Sequence, residues 1–182
     1  MNTHLPQFRR FAQYNAWFNG RLYELVASLT EEERRRDMGA FFGSIHRTLN
    51  HLLLADRIWL GRISQYPRGF RSLEKTPLVL EFESLAQVLY DDFPDLAAQR
   101  RETDVAISAL VAELTPDVLE SELAWARSTG EPMAAPFWHV LAHLFNHQTH
   151  HRGQITTLLS QLNRDPGSTD FILTAFMPEG AD

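Results

Sequence analysis

Phe137-Trp138-His139-Val140-Leu141-Ala142-His143-Leu144-Phe145-Asn146-His147-Gln148-Thr149-His150-His151-Arg152-Gly153-Gln154 is the stretch from which the rest of the chain can be read. Its apolar residues, continued by Ile155, Leu158, Leu159 and Leu162, recur at steps of three and four, the period of an amphipathic helix. The spacing predicts a helix over residues 136–163, stopped by Asp165-Pro166-Gly167. Five of the chain's eight histidines fall on it. At about 100° per residue each has a direction. With the core stripe centred on Phe137, His151 lies about 40° away and His147 about 80° away. His143, His150 and His139 lie about 120°, 140° and 160° away, progressively toward solvent. The pair facing inward, His147 and His151, is one turn apart, which lets both rings converge on one ion. Equally, each ring could be satisfied by a buried hydrogen bond.

Working outward, three more long helical stretches are expected: residues 7–28, 44–64 and 82–114, the last bent near Pro94. Thr30 and Glu33 form a capping-box pattern, Ser44 reads as an N-cap, and Thr115-Pro116-Asp117 reads as a fresh helix start. Residues 125–136 are expected to be a loop. Strand signals are confined to Leu78-Val79-Leu80 and the tail, and neither alternates for long enough. The tail, residues 168–182, carries Phe171, Ile172, Leu173, Phe176 and Met177 and is expected to fold back on the body. The expectation is an all-α four-helix bundle with short extra helical turns, forming a single domain over 1–182.

On the second long stretch, Ile45, Leu49, Leu52, Trp59 and Ile63 make the main apolar stripe. His51 lies on a second strip with Thr48, Ala55 and Ile58, and His46 sits nearer Asn50 and Arg57. A helix apolar on nearly two faces is buried centrally, which makes His51 the better-enclosed partner for the histidine pair. Asp56 lies close to the main stripe and needs a partner, either an arginine or a ligating imidazole that it would orient. Gln148, about 20° from the stripe centre, either lines a pocket or is a buried hydrogen-bonding residue.

Composition narrows the function. The chain of 182 residues has no cysteine, which excludes disulfides, cysteine-ligated metal and a cysteine nucleophile. Lys and Arg number 17 against 23 Asp and Glu, a net charge of −6, which argues against a nucleic-acid partner. No apolar run approaches the roughly 18 residues that span a bilayer, and residues 1–10 show no signal-peptide core, so no membrane partner and a cytoplasmic location are expected. His147 to His151 reads His-Gln-Thr-His-His and lacks the glutamate of zincins, and no phosphate loop or Gly-x-Ser-x-Gly elbow is present. Glu31-Glu32-Glu33 with Arg34-Arg35-Arg36 reads as a solvated, charge-paired face.

Tyr14-Asn15-Ala16-Trp17, Gly43-Ser44-Ile45, Leu49-Asn50-His51, Ala55-Asp56-Arg57-Ile58-Trp59 and Asn146-His147-Gln148-Thr149-His150-His151-Arg152-Gly153-Gln154 together resemble the DinB (damage-inducible) family over residues 8–163. The resemblance implies a four-helix bundle with an unusual crossover, often a homodimer. It also implies one divalent metal held by three histidines, which by position are His51, His147 and His151; imidazole ligands suit zinc, nickel, iron and copper alike and leave the identity open. Family members with assigned activities resemble metal-dependent thiol S-transferases or thiol-dependent isomerases. Three neutral ligands leave the ion's charge uncompensated and a position open, which suits activation of a small thiol for attack on an electrophile. A metal-dependent hydrolase and a non-catalytic metal-binding bundle remain the alternatives. Gly153, outward-facing in a helix interior, would permit close approach of a second helix.

Overall fold

A computed structural model of the chain describes residues 4–127 and 129–177. Four long helices form its body: α1 (His4–Ala27), α3 (Ile45–Ser64), α4 (Phe93–Glu113) and α6 (Phe137–Gln161). Short helices α2 (Glu31–Arg35) and α5 (Pro116–Glu120) cap the connections. The Thr30–Glu33 capping box is formed in both directions, and the side chains of Ser44 and Thr115 accept hydrogen bonds from Arg47 and Val118 backbone N–H groups, as their sequence positions predict. Helix α1 packs on α4 and α6, and α3 packs on the same two, so α1 and α3 occupy opposite corners.

The core has two apolar halves. One contains Phe8, Leu60, Ile63, Leu110, Phe137, Leu141 and Leu144; the other contains Phe18, Leu22, Val26, Ile45, Leu49, Leu96, Ile155 and Leu159. Sequence order through the halves gives the helix directions. α1 and α6 run from the first half to the second, and α3 and α4 run the other way. The neighbours α3 and α4 are therefore parallel, and residues 65–92 return the chain along the bundle between them. This crossing segment passes close over Gly61, where an added Cβ would lie 2.7 Å from the Val79 carbonyl oxygen. Val79 N–H donates to the Arg57 carbonyl at 3.2 Å.

A layer of buried polar side chains separates the two halves. Arg100 of α4 meets Asp56 of α3 at 2.5 Å and Asp104 at 2.8 Å. Asn15 and Asn19 of α1 donate to Asp104 at 2.9 and 3.0 Å. From α6, Gln148 donates to Asp56 and Arg152 donates to Asn15. Arg152 also lies over the rings of Tyr14 and Phe18. Every long helix contributes, so the layer ties the four together at mid-height.

Two expectations need correction. The third long helix starts at Phe93, not at residue 82. The Asp92 side chain caps it by accepting from Asp95 N–H, and Pro94 sits in the first turn, where its missing N–H has no helical partner to lose. Pro94 therefore opens the helix instead of bending it. Residues 125–136 are not simply a loop: β1 (Glu122–Ala126) and β2 (Pro132–Pro136) form an antiparallel hairpin pairing Glu122 with Pro136 and Ala126 with Pro132. Gly130, at φ +82°, makes its turn. Prolines at both ends of β2 hide this strand from a propensity reading, yet a two-stranded ribbon has outer positions where they cost no ladder bond. The tail folds back through a 3₁₀ turn, Phe171–Phe176. Phe171 packs on Phe11 and Tyr14 while Ile172 and Phe176 stay exposed; residues 178–182 lie outside the described residues.

Candidate metal centre

α3 and α6 cross so that His51, His147 and His151 come together beside the polar layer. The Nε2 atom of His147 lies 3.2 Å from that of His51 and 3.1 Å from that of His151. His51 and His151 are buried, and His147 is half-buried. The other nitrogens decide the chemistry. His51 Nδ1 lies 2.8 Å from the Leu85 carbonyl oxygen, which can only accept, so Nδ1 carries the proton and Nε2 is a bare lone pair. His151 Nδ1 donates in the same way to Gln154 Oε1 at 2.7 Å. Two bare nitrogens therefore point at the His147 nitrogen, which could donate a proton to only one of them. Hydrogen bonding alone leaves this trio unsatisfied. A divalent ion satisfies it: nitrogens bound tetrahedrally at about 2.0 to 2.1 Å stand about 3.3 Å apart.

The electrostatics favour the ligating form. Burial, then the neighbouring His151 and His51 rings, push His147 down to about 3. Burial also lowers His151 to about 4, against the Gln154 hydrogen bond, which favours its charged form. His51 is lowered by burial, opposed by its bond to Leu85. All three are neutral at pH 7, the protonation state a metal requires.

Residues beyond the three histidines hold the site in place. Asn50, fully buried, accepts from the N–H groups of Leu89 and Tyr90, both at 2.9 Å, and so fastens the crossing segment that supplies the Leu85 carbonyl. His46 is buried against Asn50, 3.2 Å away, and takes no part in the cluster. Phe42 stacks on His51 with ring centroids 4.0 Å apart. Asp56 and Gln148 stand behind the site. Asp56 takes Arg100 and Gln148 as partners, and Gln148 is fully buried with its amide turned to Asp56. Sequence reading assigned no role to Phe42, the Leu85 carbonyl or Gln154. Phe42 lies outside any periodic pattern and Leu85 acts through its backbone carbonyl, which no side-chain pattern reveals, while Gln154 carried a signal as the residue three positions after His151, one turn along its helix.

Fold and site thus define a helical bundle in which two neighbouring helices, α3 and α6, bring three histidine nitrogens together. The DinB family model matches residues 1–181, and the chain belongs to the DinB family. It is 24% identical over 166 residues to Protein DinB of Bacillus subtilis (strain 168), a match covering 91% of each chain. In fold it is similar to the crystal structure of a DinB-like protein from Bacillus cereus ATCC 10987, with a TM-score of 0.57 and 23% identity over 87% of this chain and 94% of that one. Among the described residues no helix is long and apolar enough to cross a membrane.

Proposed function

We propose that His51, His147 and His151 hold one divalent transition-metal ion, zinc, nickel or iron, and that the protein is a metal-dependent transferase joining a small thiol to an electrophile. The observation that carries this reading is the trio of Nε2 atoms 3.1 to 3.2 Å apart, two of them with their only proton engaged on the far side of the ring. Held by His51, His147 and His151, the ion would supply a Lewis acid that lowers the pKa of a coordinating thiol, whose proton would pass to solvent at neutral pH. The protein's residues do the rest. The Leu85 carbonyl and Gln154 fix the tautomers of His51 and His151. Phe42 covers the His51 ring and keeps water from that flank. The sulfur lone pair forms the new bond to the electrophile, and the leaving group departs with the old bond pair.

The chain has no cysteine, so the sulfur must come from a co-substrate. Asp56, engaged by Arg100 and Gln148, is not placed to act as a hydrolytic base, which favours transfer over hydrolysis. The acidic chain suits a small-molecule partner, acting in the cytoplasm, better than nucleic acid.

The test has two parts. Metal analysis of untagged protein is expected to give one ion per chain, falling well below one in His51→Ala, His147→Ala or His151→Ala but unchanged in the exposed His139→Ala. Full occupancy in His147→Ala rejects the site. Loaded protein is then incubated with an electrophile, with and without low-molecular-weight thiols. Conjugate formation that needs both metal and thiol is expected. Product that ignores thiol but tracks metal identifies a hydrolase, and no turnover in fully loaded protein identifies a non-catalytic metal-binding bundle.

A further inference from the structure

One helical turn from the three histidines lies a second cluster. The ring of His143 on α6 stands 5.8 Å from that of His147 on one side and 5.0 Å from Trp59 of α3 on the other. Trp59 meets Trp125 of β1 edge to face at 5.4 Å. The guanidinium of Arg62 lies over the Trp59 ring at 4.4 Å and reaches the Trp125 ring at 6.0 Å. The hairpin is what places Trp125 there, on the same inward-facing side of β1 as the buried Leu123.

Arg62 differs from the chain's other enclosed arginines. Arg57 donates to Tyr90 and Gln99, Arg100 to Asp56, and Arg152 to Asn15. Among the described residues nothing accepts from the guanidinium of Arg62, and no carboxylate faces it. Burial lowers its pKa with no acid opposing the effect. A half-buried cation with a free planar fork of donors is matched by a carboxylate, which such a fork binds through two parallel hydrogen bonds. The single positive charge of the Arg62 guanidinium suits a monoanion. The two indole rings offer an apolar wall for a methylene chain leading back toward His147.

We propose that Arg62, held against Trp59 and Trp125, binds the carboxylate of a substrate whose reacting end reaches the three-histidine centre. The inference rests on the proposed transfer reaction for the identity of that reacting end. The carboxylate belongs to the thiol or to the electrophile, and the probes below separate the two.

Zinc-loaded full-length protein is titrated with 6-mercaptohexanoate, 6-chlorohexanoate and hexanoate, each beside its methyl ester. Binding is read by tryptophan fluorescence and calorimetry. For at least one pair the acid is expected to bind about tenfold or more tightly than its ester. Arg62→Gln abolishes the preference, Arg62→Lys keeps part of it, and both retain zinc and the wild-type melting temperature. Arg101→Gln, an exposed charge on α4, leaves the preference intact. A preference with the mercapto pair places the carboxylate on the thiol; a preference with the chloro pair alone places it on the electrophile. Equal binding of acids and esters by the wild type, or a preference surviving in Arg62→Gln, overturns the proposal. A mercapto acid that binds no better than hexanoate, with dependence on Arg62 intact, removes the thiol reading and leaves this one standing. Thiol binding that needs His151 but ignores Arg62 does the reverse.

Discussion

At the scale of single residues, the centre works because each histidine is constrained at its far nitrogen. Leu85 and Gln154 each take an Nδ1 proton, and the lone pairs that remain converge. The polar layer behind the site shows what burial does to an acid. Desolvation pushes Asp104 up to about 6 from the ordinary 3.8, against the attraction of Arg100 and with help from the like charge of Asp56. A carboxyl whose folded pKa is raised binds its proton more tightly folded than unfolded. Its contribution to stability therefore rises as pH falls through 6 and levels off below about 3.8. Asp104→Asn removes this term. The stability of the wild type relative to Asp104→Asn, measured by urea unfolding, is expected to increase as pH drops from 7 to 4. A difference that is flat with pH, or one that shrinks in acid, would show that Asp104 is ionised in the native protein throughout that range.

At the scale of elements, the layer explains residues that the metal site does not use. Tyr14 and Asn15 on α1 receive Arg152 of α6, and Asp56 of α3 receives both Arg100 of α4 and Gln148 of α6. Gln148 and Arg152 each directly follow a clustered histidine. Holding them fixes the register of α6 and so the direction of His147 and His151. Removing one partner leaves an uncompensated buried charge, which costs about 3 to 5 kcal/mol. Arg100→Leu is expected to lose that much stability in urea unfolding, because Asp56 and Asp104 are then left facing each other. A loss under about 1 kcal/mol would mean that water enters the layer and solvates the carboxylates.

At the scale of the whole molecule, the outer face of α6 carries Gly153. An added Cβ there meets no atom within 4 Å in the isolated chain. Glycine in such a place costs the helix about 1 kcal/mol relative to alanine, a cost that close approach of a second helix would offset. The protein is expected to sediment as a homodimer at micromolar concentration, and Gly153→Leu is expected to shift it to a monomer of 20.9 kDa without loss of helix content. A wild type that already runs as the monomer removes the dimer from the account.

The sequence alone determined the four long helices, the caps at Thr30, Ser44 and Thr115, and the inward direction of His147 and His151. These follow from apolar spacing and from side chains within a turn of one another, which local physics settles. His51 was legible as an enclosed residue on a helix apolar on nearly two faces. The start of the third helix was not, because residues 82–92 carry apolar side chains at helical spacing while the Asp92 cap and Pro94 place the boundary. The hairpin was hidden because its strands depend on pairing with each other across a turn. The tertiary structure alone decided that residues 65–92 pass over α3, that a backbone carbonyl from that crossing sets the tautomer of His51, and that Asp56 belongs to Arg100 and Gln148. Each of these joins residues distant in the chain, and their energies arise only when the helices close, when buried polar groups must find partners and bare nitrogens are brought within reach of one another.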